Sequence, residues 1–329
     1  MSLEVQLEPG RTPVAPLTGL PDMATAADWL RSNRPAVMDA VRTNGCVLLR
    51  GLPIGTTGDF AVARDILLPS PAGYKEKATP RSDYGHGVFS STDLPASQPI
   101  RLHNENSYTL EFPGYLLFGC LVAPDTGGAT TVGDMRAALR LLPEDLVARF
   151  VDKGWLLERS YSEMAGLPWR TSFATDQRTE VERYCQDNTI GYEWTEDDVL
   201  RTRQVRAAII THPDTAEDVW FNHLAFWNKW TLDDEVRDVL LEAFGADGMP
   251  FATSVGDGTD LTRAEADTIN AVYDEVTRRE TWQVGDIMLV DNILNAHGRE
   301  AFTGDRKIVV SMGHPIPLTD CKPRTQPTA

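Results

Sequence analysis

Apolar residues recur at helical intervals in several segments of the chain, most clearly near the N-terminus. Trp29, Val37 and Val41 fall on one face of a 3.6-residue period, which predicts a helix over residues 25–43. The Asn-Gly pair at 44–45 is typical of a helix end. The same periodicity predicts further helices over residues 60–68, 135–142, 143–153, 180–187, 232–244 and 263–280.

Short apolar runs bounded by turn residues predict buried strands. The clearest are residues 115–122, which we interpret as a central strand, and residues 307–312. Others cover residues 46–49, 207–211, 219–221 and 285–290. Strands mixed with helical segments place the chain in the α+β class, with a β core and helices outside. These strands could close into a jelly roll, the double-sheet architecture of cupins.

Three segments have few periodic apolar positions. Residues 1–22 contain several prolines, residues 69–99 are rich in Pro, Gly and Ser, and residues 315–329 are rich in Pro and Thr. We expect both terminal segments to be irregular. Long loops inside a domain are usually functional or disordered, and we predict that 69–99 is a lid over an active site. Length alone allows two domains, but we expect residues 1–329 to form one.

Composition and charge narrow the classes of protein. The 329 residues are 42% hydrophobic, which is enough to bury a sizeable core. The net charge of −17 argues against nucleic-acid binding, because the phosphate backbone requires a basic surface. No apolar run approaches the roughly 20 residues that cross a bilayer, so no membrane contact is expected. The first residues also lack the basic start and apolar stretch of a signal peptide.

The four cysteines are dispersed along the chain. Cys46, Cys120, Cys185 and Cys321 form no CxxC pair, which argues against a zinc ribbon and against a disulfide framework. Cys46 and Cys120 lie in apolar runs and are predicted to be core residues. Such usage fits a reducing compartment, so we expect a cytoplasmic protein.

The candidate chemistry begins with two histidines and a glutamate. His103 and Glu105 are two positions apart, a spacing that would put both side chains on one face of a strand. His297 lies much later in the chain. Two imidazoles and one carboxylate can bind one face of an octahedral Fe(II), the facial triad of non-haem iron oxygenases. Since an HxE pair is common by chance, the accompanying residues decide the interpretation.

Arg306 and Thr130 could hold a cosubstrate beside such an iron. Arg306 follows His297 by nine positions and would open the strand at 307–312. A guanidinium pairs bidentately with a carboxylate, which suits the distal carboxylate of 2-oxoglutarate. Thr130 offers a hydroxyl to the same group, just after a double glycine at 127–128 that allows a tight turn.

The order of these motifs along the chain resembles a known family. The matching segments are Thr79-Pro80-Arg81-Ser82, Ser90-Ser91-Thr92-Asp93, Leu102-His103-Asn104-Glu105-Asn106, Gly127-Gly128-Ala129-Thr130, Trp220-Phe221-Asn222, Asp291-Asn292 and His297-Gly298-Arg299. Together they resemble the taurine dioxygenase (TauD/TfdA) superfamily of Fe(II)/2-oxoglutarate-dependent dioxygenases. The resemblance is strongest to the clavaminate synthase and SyrP-like branch, which oxidises amino acids and their derivatives in natural-product pathways. It covers residues 40–314 in the same order.

The resemblance implies a double-stranded β-helix core and a set of ligands. The implied ligands are His103, Glu105 and His297 for iron, and Thr130 and Arg306 for 2-oxoglutarate. Most of the superfamily has Asp where this chain has Glu105, but the branch that it resembles also uses Glu. The segment between His297 and Arg306 is shorter than in clavaminate synthase. The choice of Arg306 over Arg299 therefore depends on how the following strand is aligned.

The implied reaction couples oxidative decarboxylation of 2-oxoglutarate to oxidation of a substrate C–H bond, with Fe(II), 2-oxoglutarate and dioxygen as cofactors. Related halogenases lack the carboxylate that Glu105 supplies here, so hydroxylation is favoured over halogenation. Desaturation, epoxidation and ring closure stay open. The implied substrate is an amino acid or its derivative, either free, tethered to a carrier protein, or within a peptide. The oligomeric state is not predicted.

Residues near these motifs are candidates for substrate contacts. They are Arg81, His86, Asn104, Asn106, Asn222, Trp227 and Arg299. Arg81 lies in the predicted lid and would grip a substrate carboxylate. Of the other histidines, His212, His223 and His314 are expected to be structural, and His223 is the first candidate for an exception. Two other classes stay open, a non-catalytic β-barrel that binds a metal or ligand and a zinc hydrolase with similar ligands.

Overall fold

The helices lie close to where the apolar periodicity predicted them. The computed structural model describes residues 3–73, 75–164, 166–245 and 248–329. The helices are α1 (Met23–Asn44), α2 (Thr57–Leu67), α3 (Met135–Leu141), α4 (Glu144–Lys153), α5 (Trp169–Phe173), α6 (Arg178–Asp187), α7 (Asp234–Phe244) and α8 (Arg263–Val276). The side chain of Asp22 accepts a hydrogen bond from Thr25 N at the start of α1, and Gly45 ends the helix with a φ of 76°. The short α5 was not predicted.

Two strands extend well beyond the apolar runs that predicted them, since one begins at Glu111 and another continues to Pro317, whereas the strands predicted from residues 207 and 285 each begin two residues later. They are β1 (Val14–Pro16), β2 (Cys46–Arg50), β3 (Phe89–Ser90), β4 (Ile100–His103), β5 (Glu111–Val122), β6 (Thr126–Gly127), β7 (Thr130–Asp134), β8 (Trp155–Tyr161), β9 (Gly191–Trp194), β10 (Leu200–Arg206), β11 (Ile209–Thr211), β12 (Asp218–Trp220), β13 (Phe251–Val255), β14 (Thr277–Arg278), β15 (Ile287–Asp291), β16 (Asn295–Arg299), β17 (Phe302–Thr303) and β18 (Lys307–Pro317). Because β18 continues to Pro317 and a 3-10 turn follows at Leu318–Cys321, the prediction of an irregular segment from residue 315 is wrong for its first part.

The larger sheet has the strand order β1-β2-β15-β5-β18-β3. Its two faces follow the alternation of side chains along a strand. Leu117 and Leu289 point to the face that packs against α1 and α2, whereas Leu116 and Val290 point to the opposite face. Pairing of β1 with β2 means that residues 1–22 are not wholly irregular, contrary to our expectation. Each face of this sheet therefore has its own apolar core.

A second sheet, with the order β14-β7-β16-β4, carries two of the three candidate metal ligands, His103 and His297. Val132 of β7 belongs to the same apolar cluster as Leu116 and Val290 of the larger sheet. The two sheets are therefore packed on one another at this point. Among the described residues the strands form separate sheets and do not close into a barrel.

A third sheet, with the order β13-β8-β10-β9, was not predicted. Strands β8 and β10 bury Arg159, Gln204 and Arg206, so polar residues interrupt the apolar run that normally indicates a buried strand. These side chains surround Glu76, whose Oε1 accepts a 2.8 Å hydrogen bond from Gln204 and lies 3.5 Å from Arg159 Nη1. A buried polar cluster thus replaces the apolar side chains on which the prediction depended.

Two more predictions need correction. Helix α8 ends at Val276 rather than at residue 280, because β14 follows at once and pairs with β7. The segment 69–99 is mostly irregular where it is described, but it contains β3, which pairs with β18. None of the helices along the described residues is long and apolar enough to span a membrane. The four cysteines are free and buried.

Candidate metal centre

His103 and His297 are brought together by strand pairing. His103 is the last residue of β4, and His297 lies in the middle of β16, directly opposite it in the antiparallel ladder. Their ring centroids are 4.4 Å apart. This strand pairing explains how two residues that are distant in the sequence can bind the same metal ion.

Glu105 joins them from outside the strand. Because β4 ends at His103, the two-residue spacing does not act through strand geometry as we predicted. Asn292, just after β15, holds the backbone of Glu105 instead. Its Oδ1 accepts from Glu105 N at 2.8 Å, and its Nδ2 donates to Glu105 O at 2.9 Å. The position of this carboxylate is therefore set by a long-range contact.

The three side chains form a compact, buried donor set. One potential ligand atom from each of His103, Glu105 and His297 lies within 4.8 Å of the others. The Nδ1 of His103 is 2.9 Å from Arg101 O, which assigns the proton to Nδ1 and leaves Nε2 free. Burial lowers the pKa of both histidines, and it holds the pKa of His297 well below its ordinary value. Neutral imidazoles have the lone pair that a metal needs.

This donor set fits the ion that the sequence implied. Two neutral histidines and one carboxylate are the ligands of non-haem Fe(II) oxygenases. The Nδ1 of His297 is buried and has no hydrogen-bond partner among the residues that the structure describes, and Nε2 of the same ring lies 3.7 Å from Glu105 Oε2. The ring thus presents Nε2 towards the glutamate, on the side where a shared metal would lie.

Arg306 and Thr130 lie together, as expected of a shared carboxylate site. Arg306 donates to Gly128 O at 2.9 Å and is 3.4 Å from Thr130 Oγ1. Burial lowers the pKa of Arg306 to about 10, and no carboxylate among the described residues lies within ion-pair distance of it. A desolvated cation without an anion is suited to bind one.

Two residues at this second position were missed by the sequence analysis. Ser91 accepts a hydrogen bond from Arg306 Nη1 at 3.2 Å, and Trp282 donates to Thr130 Oγ1 at 3.2 Å. Ser91 was quoted only as part of a matching segment, and Trp282 lies in no segment that we singled out. Gly127 and Gly128 both have positive φ, at 64° and 68°, as the predicted tight turn requires.

Arg299 contacts the loop rather than an open site. Its Nη2 donates to the carbonyl oxygens of Pro95 and Gln98, each at 2.7 Å, and its Nη1 donates to those of Thr92 and Leu94. Through these contacts Arg299 holds residues 92–98 in place. Its predicted contact with substrate stays a prediction without a supporting contact.

The two lid residues predicted to bind substrate differ in position. Arg81 reaches the metal site, where its Nη2 donates to Glu105 Oε2 at 2.7 Å. His86 is exposed at a left-handed turn, with a φ of 54°, and its carbonyl oxygen accepts from Arg64. The carboxylate that Arg81 holds is therefore one of the chain's own, and the structure does not bring His86 into contact with the triad.

The three asparagines predicted to line the pocket are all buried. The Nδ2 of Asn104 donates to Asn292 O at 2.7 Å, and Asn106 accepts from Tyr108 at 3.2 Å. Among the described residues, the Oδ1 of Asn104 and the Nδ2 of Asn222 are buried without a hydrogen-bond partner.

An aromatic group lines one side of the metal ligands. His223 was the first candidate for a function among the remaining histidines. Its ring centroid lies 4.9 Å from that of His103, and its Nδ1 is 2.7 Å from Ser107 Oγ. Trp227 stacks on His223 at 4.2 Å. Phe226 stacks on His103 at 4.8 Å, and we missed it because an aromatic residue in an apolar stretch is usually a core residue.

Comparison with known proteins agrees with this geometry. The family model described as taurine catabolism dioxygenase TauD, TfdA family matches residues 12–312. The dapdiamide synthesis protein DdaC of Enterobacter agglomerans is 35% identical over 300 residues, which are 91% of each chain. A clavaminate synthase-like protein of Arabidopsis thaliana is 26% identical over 280 residues, covering 82% of this chain and 81% of the relative.

A solved structure shows the same fold at lower identity. It is asparagine oxygenase in complex with Fe(II), 2S,3S-3-hydroxyasparagine and succinate, with a TM-score of 0.52 and 17% identity. The match covers 90% of this chain and 86% of that one. The family match and the similarity to DdaC over nearly the whole chain show that this protein belongs to the TauD, TfdA family and is a 2-oxoglutarate-dependent non-haem iron dioxygenase.

Proposed function

We propose that this dioxygenase hydroxylates an unactivated C–H bond of an amino acid or an amino-acid derivative. The observation that carries the proposal is the buried set of His103, Glu105 and His297. An Fe(II) ion bound there would supply the activation of dioxygen, with two electrons from the oxidative decarboxylation of 2-oxoglutarate and two from the substrate C–H bond. The chain's own residues would supply position, charge and shelter from water.

We further propose that Arg306 and Thr130 orient the cosubstrate. The guanidinium of Arg306 would donate hydrogen bonds to the distal carboxylate of 2-oxoglutarate, and the hydroxyl of Thr130 would donate to the same group. Trp282 donates to Thr130 and so fixes the orientation of that hydroxyl. With the distal carboxylate held, the keto-acid end would be directed at the metal ligands.

The choice of hydroxylation rests on Glu105. A carboxylate ligand occupies the position that a halide needs, so halogenation is disfavoured. Desaturation, epoxidation and cyclisation use the same cofactors and remain alternatives for the same site. The substrate would lie against a wall of six side chains, those of Asn104, Asn106, Asn222, His223, Phe226 and Trp227.

The type of substrate is supported by what the relatives are called. One relative is a dapdiamide synthesis protein, and one structural neighbour is an asparagine oxygenase bound to a hydroxylated asparagine. We therefore propose a role in natural-product biosynthesis, on a substrate that is free, carrier-tethered or within a peptide.

We also propose that the larger sheet and the sheet of β14, β7, β16 and β4 are the two sheets of a jelly roll, because they share an apolar cluster.

The test has two stages. Fe(II) and 2-oxoglutarate are first added without oxygen, and a visible charge-transfer band is expected. Succinate formation in air is then measured across amino acids, peptides and carrier-bound aminoacyl groups, with the product mass as the second readout. A gain of one oxygen atom per succinate supports hydroxylation. Absence of both band and succinate, or metal-dependent hydrolysis without oxygen consumption, contradicts the proposal.

A further inference from the structure

A buried ion pair joins the predicted lid to the metal centre. Arg81 Nη2 donates to Glu105 Oε2 at 2.7 Å, and the two side chains are only 5% and 7% exposed. The same carboxylate oxygen lies 3.7 Å from Nε2 of His297. A cation of the chain therefore already contacts the oxygen that faces the second metal ligand.

The backbone beside Arg81 is fixed on both sides. Lys77 N donates to Ser172 O at 2.9 Å, before Arg81 in the chain. After it, Ser82 N donates to Ser90 Oγ at 2.7 Å, and Ser90 N donates to Ser82 O at 2.9 Å. The guanidinium is thus held near Glu105 by structure that does not include the metal ligands.

The energetic role of such a pair follows from its burial. A buried carboxylate is costly unless a partner compensates its charge, and removing one partner of a buried pair is more harmful than removing both. A divalent cation at the same carboxylate would share it with Arg81 and would be repelled by the guanidinium. The charge of Arg81 therefore favours the metal-free protein and opposes the metal.

We propose that Arg81 is the internal counter-ion of Glu105, a positioning residue that stabilises the metal-free site and lowers its affinity for a divalent cation. This inference rests on the proposed role of Glu105 as a ligand. Because the guanidinium repels a divalent cation at the same carboxylate, removing the charge of Arg81 should strengthen metal binding. A coupling of typical size would change the affinity by roughly 5- to 150-fold.

The first experiment separates the charge of Arg81 from its shape. Mn(II) binding to chelator-treated protein is measured by the electron paramagnetic resonance of free Mn(II), for Arg81→Gln and Arg81→Lys. Arg81→Gln should bind Mn(II) more tightly than the wild type, whereas Arg81→Lys keeps the charge and should bind within a few-fold of it. Equal or weaker binding by Arg81→Gln overturns the proposal.

The matched control is Arg31→Gln. Arg31 lies on α1 and forms an ion pair of similar length, 2.8 Å, with Asp28, but the two side chains are 59% and 81% exposed. Exposed pairs contribute little, and this pair involves none of the candidate metal ligands. Mn(II) affinity should therefore be unchanged in this variant. A rise equal to that of Arg81→Gln would overturn the proposal, because the effect would not be specific to the buried pair.

The second experiment is a double-mutant cycle on the metal-free protein. Arg81→Gln and Glu105→Gln should each lower Tm by several degrees, and the double variant should lose less than the sum of the two. Additive losses would mean that the two charges do not compensate one another, which overturns the proposal. If Arg81→Gln is unfolded without metal, Mn(II) should refold it, and failure to do so also overturns the proposal.

These results distinguish this inference from the proposed function. If Glu105→Gln loses Mn(II) but Arg81→Gln binds it as the wild type does, the counter-ion role is wrong and the oxygenase proposal stands. If Glu105→Gln binds Mn(II) normally, Glu105 is not a ligand and both proposals are wrong.

Discussion

At the scale of single residues, the metal site depends on which nitrogen of each histidine is free. The Nδ1 of His103 donates to Arg101 O, which leaves its Nε2 free, and Nε2 of His297 faces Glu105. His103→Ala or His297→Ala should abolish Fe(II) binding and turnover, because a two-ligand site holds Fe(II) weakly. Equilibrium dialysis at stoichiometric Fe(II) measures the binding. His314→Asn is the control, since His314 is exposed and Asn tolerates its left-handed φ of 57°. Wild-type activity in either alanine variant would contradict the triad.

Glu105 gives the sharpest test of the reaction. Its backbone is held by Asn292, so Glu105→Asp shortens the reach of the carboxylate by one methylene without moving the chain. That variant should retain iron and have lower activity, whereas Glu105→Ala should lose hydroxylation. The measured quantity is alcohol product per succinate under excess Fe(II). A wild-type yield from Glu105→Ala would show that this carboxylate is not a ligand.

The two arginines near the cosubstrate should differ in effect. Arg306→Ala should raise the KM for 2-oxoglutarate by about one to two orders of magnitude, since a hydrogen bond to a charged group contributes roughly 1.5–3 kcal/mol. Arg299→Ala should change this KM less, because the Arg299 side chain donates to loop carbonyls. Steady-state kinetics in 2-oxoglutarate measure both. A larger effect from Arg299→Ala would mean that the two roles must be exchanged.

At the scale of elements, the segment 69–99 is tied down at several points where it is described. Glu76 joins the third sheet through Gln204, β3 pairs with β18, and Arg299 holds residues 92–98. The part between Glu76 and β3 carries Arg81 and is held by hydrogen bonds between Ser82 and Ser90 and by the pair of Arg81 with Glu105. That pair is the contact which a metal at Glu105 would disturb, so any closing movement of a lid is expected in this part.

Hydrogen exchange tests this lid directly. Exchange between Glu76 and Phe89 should slow when 2-oxoglutarate and the true substrate are both bound, because closure would keep water from the reacting centre. Residues 92–98 provide an internal control, since Arg299 already holds them. If exchange between Glu76 and Phe89 were equally slow in the free and the ternary state, a closing lid would be excluded.

At the scale of the whole molecule, the metal links parts of the fold that are far apart in sequence. Its candidate ligands come from β4, the turn after β4, and β16, which pack against the larger sheet. Mn(II) should therefore raise Tm, by a stabilisation of about 2.7 kcal/mol at a hundredfold excess over Kd. Differential scanning calorimetry measures the shift. His297→Ala should show no Mn(II)-dependent shift, and a shift equal to the wild type's would place the metal elsewhere.

Local patterns of the sequence determined the elements whose stability is local or wholly apolar. The capped and amphipathic α1, the buried run of β5 and the strand that starts at Lys307 were all recognisable, because each shows its period or its apolar run directly. The family and its cofactor chemistry were also predictable, since the motifs keep their order along the chain. The roles of the individual site residues stay predictions.

Only the tertiary structure decided what depends on partners distant in the sequence. Strands β8 and β10 were missed because Arg159 and Arg206 are buried beside Glu76, a residue of another segment. The position of Glu105 follows from Asn292, and Arg81 contacts Glu105, a candidate metal ligand of the chain itself. Buried polar groups are stable only when their partners are in place, and a linear sequence does not show which partners the fold will bring together.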